Sequence, residues 1–483
     1  MAGGVTSPGP GGKHLTSGPR SRTLPRALGC SALTALMPGC SFLVAGHRRL
    51  AAAVFTIYVL LVAAAAYAVI ARHDALLRLV VQPQWLTVLI VVSIVMCIAW
   101  LSIVLAGEWM LRPPALSTVQ RVLEAVAMAV ICCAVVAPFA LVVNYSAAQR
   151  SFVKAVFPSY ASSHSATRPT DVSEKDPWGG RGQVSILLLG GDAGPEREGN
   201  RTDSVMVATI NTSTGRTVLF GLPRNLEKVP FAARSPLAKL YPDGFTGPGD
   251  PLEYMLNAIY RNVPAAHPGV LGKSDNEGAD ALKLAASGAL GIRVDYYALI
   301  NLAGFVELVD AIGGVTVDVN EPIPIGGITG EKEPEGYIQP GPHQKLDGFH
   351  ALWFARGRYG LDDYDRMRRQ RCLMDDIIHE ADVMTMLTRY KKILAAGRNI
   401  IQTDIPGELL PAFVDLAGLV KQAKVRSVVF ARSVDFAPDA PDYGYMRRVV
   451  QQALSRKPAA GHRHSADSPV ERPEDTCGYQ PTS

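Results

Sequence analysis

The sequence predicts an α/β protein, in which N-terminal transmembrane helices precede an extracytoplasmic, layered α-β-α domain with a mixed central sheet. Of the 483 residues, 48% are hydrophobic and only 19% are charged, which is typical of a membrane part joined to a soluble part. Long uncharged runs fall before residue 150. Strand and helix patterns are mixed from Gln183 onward, which favours helices on the faces of a sheet.

Composition excludes three classes of protein. The net charge of +5 results from 48 basic and 43 acidic residues that are interspersed, so we expect no nucleic-acid partner. Seven cysteines in this length are too few for a disulfide-dense secreted miniprotein. The apolar content also excludes intrinsic disorder for the bulk of the chain.

Residues 50–149 are predicted to form a membrane region with three transmembrane helices. The uncharged runs are 50–71, 79–107 and 125–149, and each reaches the roughly 20 residues that cross a hydrocarbon core. A cleaved signal peptide would lie nearer the N-terminus and would not be followed by two further runs.

The basic residues predict the orientation. Residues 1–49 contain lysine and arginine but no acidic residue, which places this arm in the cytoplasm by the positive-inside rule. Three crossings then place everything after Gln149 outside, so the protein is expected to be a multi-pass cell-membrane protein. Residues 27–46 are also uncharged, but Pro38 and several glycines favour an interfacial or re-entrant helix there. A fourth crossing is the alternative.

The second half is predicted to be one domain, residues 183–454, between a linker at 150–182 and a disordered tail at 455–483. Apolar runs predict strands at 184–189, 205–210, 217–222, 296–300 and 315–319. Helical spacing over 302–312 stops at Gly313 and Gly314, and a long helix is expected over 363–386.

Arginines and aspartates stand where these elements begin or end. Asp192 closes the first strand, and Arg201 and Asp203 precede the second on one face. The others are Arg224, Arg356, Arg358, Asp363, Arg366 and Gln370, of which the last three form one stripe of a helix. Arginine pairs with phosphate oxygens, and carboxylates suit Mg²⁺. The pattern therefore predicts an anionic, phosphate-bearing ligand with a divalent metal, against the alternative of solvated surface ion pairs.

Other templates of enzyme chemistry are not found. The sequence has no nucleophile elbow, phosphate-binding loop, dinucleotide fingerprint or zinc spacing. Cys372 and Cys477 are the only cysteines outside the N-terminal arm and the predicted spans, in a compartment that could oxidise them. We therefore hypothesise a disulfide that joins the tail to the domain.

Five blocks of sequence, in order, resemble the LytR-CpsA-Psr family of bacterial cell-wall glycopolymer ligases, in its actinobacterial form. The blocks are 186–192, 201–207, 222–225, 294–318 and 346–372, and the last, ending Arg-Met-Arg-Arg-Gln-Arg-Cys, is the most specific. The resemblance covers residues 183–380.

The resemblance implies a Mg²⁺-dependent phosphotransferase, with Mn²⁺ as an alternative metal. Such an enzyme takes a glycopolymer from a polyprenyl-pyrophosphate carrier in the membrane and joins it to peptidoglycan by a phosphodiester, with pyrophosphatase side activity. By this resemblance Arg201, Arg224, Arg356, Arg358, Arg366 and Gln370 would hold the pyrophosphate. Asp192 and Asp203 would hold the metal, and Asp363 would orient arginines or accept a proton. Which aspartate is the general base stays open.

The sequence departs from the family pattern at several points. Asn225 stands where the family usually has aspartate, which keeps open a non-catalytic polyprenyl-phosphate-binding or regulatory membrane protein. Residues 236–250 form a Gly- and Pro-rich insertion that would be a lid or a specificity loop. Spans beyond the family's usual single anchor suggest a membrane protein partner.

Overall fold

The computed structural model describes residues 24–113, 116–191, 202–380, 401–430, 432, 436–455, 470–471 and 477–480. For residues 73, 74, 203, 363, 470 and 471 it describes the backbone but not the side chain. The chain divides into two compact units, one made of residues 1–73 and 88–146 and the other of residues 74–87 and 147–483.

In the described part of the chain, six helices precede the first strand. They are α1 (Leu24–Leu36), α2 (Cys40–Val44), α3 (Arg48–Ala71), α4 (His73–Val80), α5 (Pro83–Leu111) and α6 (Thr118–Val156). Of these, α3, α5 and α6 are long and apolar enough to cross a membrane. The second apolar run was predicted to begin at residue 79, but its helix, α5, begins at Pro83, because proline fits the first helical turn. Residues 79 and 80 belong to α4 instead.

Residues 27–46 do not form one straight helix. Helix α1 has 13 residues, about 20 Å, which is too short for a hydrocarbon core of about 30 Å. The chain turns at Gly39, with a φ of 101°, before α2 begins. The Ser31 hydroxyl donates to the Glu108 carboxylate of α5 at 2.5 Å, so α1 is fixed to a long helix of its own unit.

The described strands of the second unit include a mixed sheet of seven, in the order β11-β10-β3-β2-β1-β4-β9. The strands β1 and β4 are parallel, as are β3 and β10, and the other neighbours are antiparallel. Two hairpin-like pairs, β5 with β8 and β6 with β7, lie outside it. The strands are β1 (Gln183–Gly191), β2 (Thr202–Asn211), β3 (Thr217–Leu222), β4 (Tyr296–Asn301), β5 (Val315–Val319), β6 (Ile323–Ile325), β7 (Gly336–Ile338), β8 (Gly341–Leu346), β9 (Ile401–Thr403), β10 (Val425–Val429) and β11 (Val470–Glu471).

Helices cover both faces of the sheet. They are α7 (Pro236–Leu240), α8 (Ile259–Ala266), α9 (Glu277–Leu290), α10 (Leu302–Ile312), α11 (Gly348–Arg356), α12 (Asp363–Glu380), α13 (Leu410–Gln422) and α14 (Tyr443–Leu454). Leu187 and Leu189 pack into a core with α9 and α14, whereas Leu188 packs against α12. This alternation is the period of two that a strand covered on both sides requires. The layered α/β class predicted from the sequence is confirmed.

The segment 150–182, which was predicted to be a linker, contacts the domain. Residues 150–156 continue α6, and the rest packs on the domain, where the Trp178 ring lies 5.1 Å from Phe413 in an edge-to-face contact. The Ser165 hydroxyl donates to both Asp280 and Asp404. The fully buried Lys283 ammonium donates to Asp404 at 2.6 Å, so this polar cluster is charge-paired as buried ions must be.

Two described pieces of the predicted disordered tail are fixed to the domain. Strand β11 pairs with β10, and Cys477 is bonded to Cys372 of α12 at an S–S distance of 2.02 Å. The Gln480 backbone also donates to Asn320 at 2.7 Å. The bond joins the two cysteines of the disulfide hypothesised from the sequence.

Candidate active site

The candidate site lies at one edge of the central sheet. Gly191, which ends β1, is opposite Asn301 of the parallel β4 and Thr202 at the start of β2. Arg224 follows β3, which ends at the same edge because it is antiparallel to β2. Carboxyl ends of strands are where α/β sheets bind ligands, so the topology supplies the frame of a binding site.

Two helices and their connection bring further arginines to this edge. Arg356 is the last residue of α11, and its guanidinium lies over the Trp353 ring at 5.1 Å. Arg358 follows in the connection and is exposed. Arg366 is in the first turns of α12 and only 2% exposed, so its charge is held in the interior of the site.

These residues line a cavity of about 320 Å³. Arg356, Arg358, Arg366 and Gln370 form its polar part. The rest of the wall is mostly apolar, with Ser204 and Asn301 as further polar residues, and comes from β1, β2, β4, β9, α10, α11 and α12. The structure therefore joins a group of cations to an apolar slot, which is the arrangement an amphiphile with an anionic head would need.

Helix α12 shows the same change from polar to apolar along one face. The side chains that line the cavity are Arg366, Gln370, Leu373, Met374 and Ile377. Their spacing keeps them on one side of the helix. From Arg366 to Ile377 the helix rises by about 16 Å, so the cationic and apolar ends of this face are separated by that length.

A small cleft beside the cavity contains more cations. It is lined by Arg224, Arg366, Gln370 and Arg371, among others. Arg371 is also only 2% exposed. Arg371 lies in the family-like block 346–372 but was given no role from the sequence, because spacing alone does not show which charged side chains of a helix are buried.

Gln370 and Arg369 hold the loop that carries Arg356. The Gln370 amide accepts from Ser204 of β2 and donates to the Ala355 carbonyl, both at 3.1 Å. Arg369 donates to the carbonyls of Phe354 at 2.9 Å and Gly357 at 2.5 Å. Gln370 therefore bridges sheet and loop, in addition to facing the cavity, and Arg369 is a positioning residue that sequence reasoning missed.

Burial changes the acid–base behaviour of two side chains on α12. Burial lowers the pKa of Arg369 to about 10, although the nearby Glu321 carboxylate opposes this shift. Burial, with smaller contributions from the charges of Asp375 and Glu380, raises the pKa of Asp376 to about 7. Asp376 lies one residue before the apolar end of the cavity face.

Four predicted site residues are not fully described. Asp192 and Arg201 lie outside the described residues, and Asp203 and Asp363 are placed in β2 and at the start of α12 by their backbone alone. Within the described part of the chain, no group of three or more His, Cys, Asp or Glu residues comes together as a metal site. The structure thus assembles Arg356, Arg358, Arg366 and Gln370 in the cavity, with Arg224 in the adjoining cleft.

Comparison with known proteins identifies the family of this chain. The LytR_cpsA_psr family matches residues 151–437, more than half of the chain. The chain is 32% identical over 228 residues to "Biofilm regulatory protein A" of Streptococcus mutans, covering 46% of this chain and half of that protein. It is 28% identical over 280 residues to the polyisoprenyl-teichoic acid–peptidoglycan teichoic acid transferase TagU of Enterococcus faecalis, covering 56% of this chain and 76% of that protein.

Two further proteins are similar to parts of this chain. The cell wall biosynthesis protein LcpA of Corynebacterium glutamicum is 24% identical over 323 residues, which is 61% of this chain and 60% of that protein. Among solved structures, protein gbs0355 of Streptococcus agalactiae has 30% identity and a TM-score of 0.39, covering 51% of this chain and 77% of that one.

The chain belongs to the LytR-CpsA-Psr family, as its sequence blocks indicated. The match begins at residue 151, so the segment that was expected to be a linker falls within the family's domain. One of these relatives is named as a transferase of teichoic acid to peptidoglycan and another as a cell-wall biosynthesis protein, and the chain spans about half the length of the relative from Streptococcus mutans.

Proposed function

We propose that this protein is a membrane-anchored phosphotransferase. It would transfer a glycopolymer from a polyprenyl-pyrophosphate carrier to peptidoglycan and form a phosphodiester link. The observation that carries the proposal is the cavity whose apolar body ends in Arg356, Arg358 and Arg366. A polyprenyl chain matches the apolar part and a pyrophosphate matches the arginines.

The chemical step needs charge neutralisation more than covalent help. The hydroxyl oxygen of the acceptor would attack the phosphorus that carries the glycopolymer. The bond from this phosphorus to the bridging oxygen would break, and polyprenyl monophosphate would leave with the electron pair. Arg356, Arg358 and Arg366 face the cavity where this charge develops, and Arg224 faces the adjoining cleft. With water as the acceptor, the same step would be a pyrophosphatase side activity.

The acceptor hydroxyl must also lose a proton. Asp363 begins α12, three residues before Arg366, and so stands at the arginine end of the cavity face. It would accept the proton or orient the arginines, and the backbone placement fits both roles.

Asp192 and Asp203 are the residues that would hold Mg²⁺. Asp192 directly follows Gly191, and Asp203 directly follows Thr202, which is the register partner of Gly191. Two carboxylates with substrate phosphates are the donor set that Mg²⁺ takes in proteins, so the residue types fit the metal, and Mn²⁺ is the alternative. When bound, the metal would neutralise charge on the phosphate oxygens.

Placement in the cell follows from the N-terminal helices. The basic arm would lie in the cytoplasm, and α3, α5 and α6 would cross the membrane. The catalytic domain would then be extracytoplasmic, on the side where peptidoglycan is assembled.

The test uses the full-length protein in proteoliposomes with a polyprenyl pyrophosphate, and measures release of polyprenyl monophosphate with and without Mg²⁺. Arg366→Ala should lower release by at least about a hundredfold, as loss of a buried transition-state cation does. The matched control is Arg368→Ala, because Arg368 is exposed on the same helix and pairs with Asp365. Equal release from wild type and Arg366→Ala would contradict the proposal.

A second candidate is a protein that binds polyprenyl phosphates without turnover, or regulates through such binding. Asn225 favours it, because it follows Arg224 at the cleft and removes a carboxylate that the family usually has. This alternative predicts that a polyprenyl phosphate raises the unfolding temperature although no monophosphate is released. Turnover that appears only in Asn225→Asp would establish it for the natural chain.

A further inference from the structure

The connection between the two apolar helices α3 and α5 is joined to the catalytic domain. We refer to residues 72–82 as the α3–α5 connection. Its residues from 74 onward belong to the same compact unit as the sheet. The Arg78 guanidinium donates to the Asp415 carboxylate of α13 at 2.7 Å, across 337 positions of sequence. This contact links a membrane-flanking segment directly to a helix of the domain.

Buried groups hold the α3–α5 connection in place, in addition to the exposed ion pair. The Gln149 amide of α6, 7% exposed, donates to the Val80 carbonyl at 2.9 Å. Val81, Val153 of α6 and Leu410 of α13 form an apolar cluster, and each is at most 7% exposed. An exposed ion pair contributes only about 0–1 kcal/mol in water, so the apolar cluster supplies most of the adhesion and the ion pair fixes its register.

Helix α13 packs next to the part of α12 that lines the apolar end of the cavity. Ile377 lines that end, and the next residue, Ile378, packs against the cluster that contains Phe413 and Leu416 of α13. Arg366 is at the opposite end of the same face of α12. The α3–α5 connection therefore binds a helix that packs beside the apolar end of this face of α12, away from the arginines.

We infer that the α3–α5 connection is a docking element that holds the domain with the apolar end of its cavity toward the bilayer. A connection between two membrane-crossing helices must lie at the membrane surface, so whatever it binds is held there. The inference rests on the proposed function and adds a role for α3 and α5, the two apolar helices that precede α6. These helices would keep the cavity close to the lipid tails of the bilayer, which raises the effective concentration of a bilayer donor at the cavity.

The experiment compares two donors with the full-length protein in proteoliposomes. One donor is a long-chain polyprenyl pyrophosphate in the bilayer, and the other is water-soluble farnesyl pyrophosphate. Arg78→Glu places two carboxylates together and should lower turnover of the bilayer donor about tenfold while farnesyl pyrophosphate changes less than about twofold. Adding Asp415→Arg restores the opposite charges and should restore turnover. Arg72→Glu is the matched control, because Arg72 is exposed on the same connection.

Equal turnover of the bilayer donor by wild type and Arg78→Glu would overturn the inference. Equal losses with both donors would also overturn it, since they would show a general loss of folding. If the wild type turns over neither donor, the proposed function fails instead. Amide hydrogen exchange of residues 410–422 tests the docking without turnover, and unchanged exchange in Arg78→Glu would reject it.

Discussion

Arg369 shows how one side chain can organise a site that it does not enter. Its guanidinium donates to two carbonyls on either side of Arg356, and since Arg369 is only 8% exposed, solvent is a poor substitute for these carbonyls. The planar fork of arginine can serve several acceptors at once, which a single ammonium cannot do in the same geometry. The position of Arg356 therefore depends on Arg369.

We predict that Arg369→Lys weakens substrate binding more than it slows the reaction. A displaced Arg356 binds ground state and transition state less well by similar amounts, so KM should rise about tenfold with a smaller change in kcat. Steady-state kinetics with a polyprenyl pyrophosphate measures this split. A purely structural role would lower the active fraction, and hence kcat, at unchanged KM. Arg368→Lys, at an exposed position, is the control.

Asp376 makes the stability of the domain depend on pH. Its pKa is raised to about 7 by burial and by neighbouring carboxylates, above the unfolded value of about 3.9. The folded state therefore binds more protons than the unfolded state between these values. Its contribution to the free energy of unfolding is most favourable at low pH and falls as pH rises from about 4 to 7.

Asp376→Asn should raise the free energy of unfolding at pH 8 and leave it nearly unchanged at pH 4. The amide keeps the shape of the carboxylic acid and cannot ionise, so the decline between these pH values should flatten. Denaturant unfolding at several pH values measures it. A variant whose pH dependence matches the wild type would show that Asp376 ionises normally.

At the scale of elements, helix α12 is tied to the C-terminal tail. Cys372 follows Gln370 by two residues, and its bond to Cys477 closes a loop with a sequence separation of 105. Cross-links across long loops stabilise mainly by restricting the unfolded chain. The helix that carries Arg366 therefore gains stability from a segment far from it in sequence.

Loss of this disulfide should destabilise the domain by about 2–5 kcal/mol. Cys372→Ser, Cys477→Ser and the double variant should unfold at the same lower denaturant concentration, because each removes the same bond. Cys133→Ser is the control, since Cys133 is a free cysteine of α6. Different midpoints for the two single variants would show that the bond is not their shared cause.

Local patterns predicted the elements well. Strands β3 and β5 and helix α10 have the bounds expected from the sequence, because each has a clear period and α10 ends at Gly313, whose φ of 99° suits glycine. Helix α4 was missed, because it has only eight residues between two long apolar runs. Its partner Asp415 is too distant in sequence for any local pattern to indicate it.

For the whole molecule, the sequence predicted the class of protein and most of the charged site. Arg356, Arg358, Arg366 and Gln370 were named from motif and spacing, and the structure brings them to one cavity. The apolar lining could not be predicted, since it combines side chains from seven elements whose packing only the tertiary fold determines. The roles of Asp192, Asp203 and Asp363 stay predictions.

Strand β11 has a consequence for how the protein behaves at high concentration. The strand has two residues and pairs with the edge of β10 that faces away from the rest of the sheet. An uncovered strand edge presents free amide and carbonyl groups, on which a second chain can add a strand. A chain shortened before Val470 would expose this edge, so the polar C-terminal segment protects the domain against self-association into aggregates.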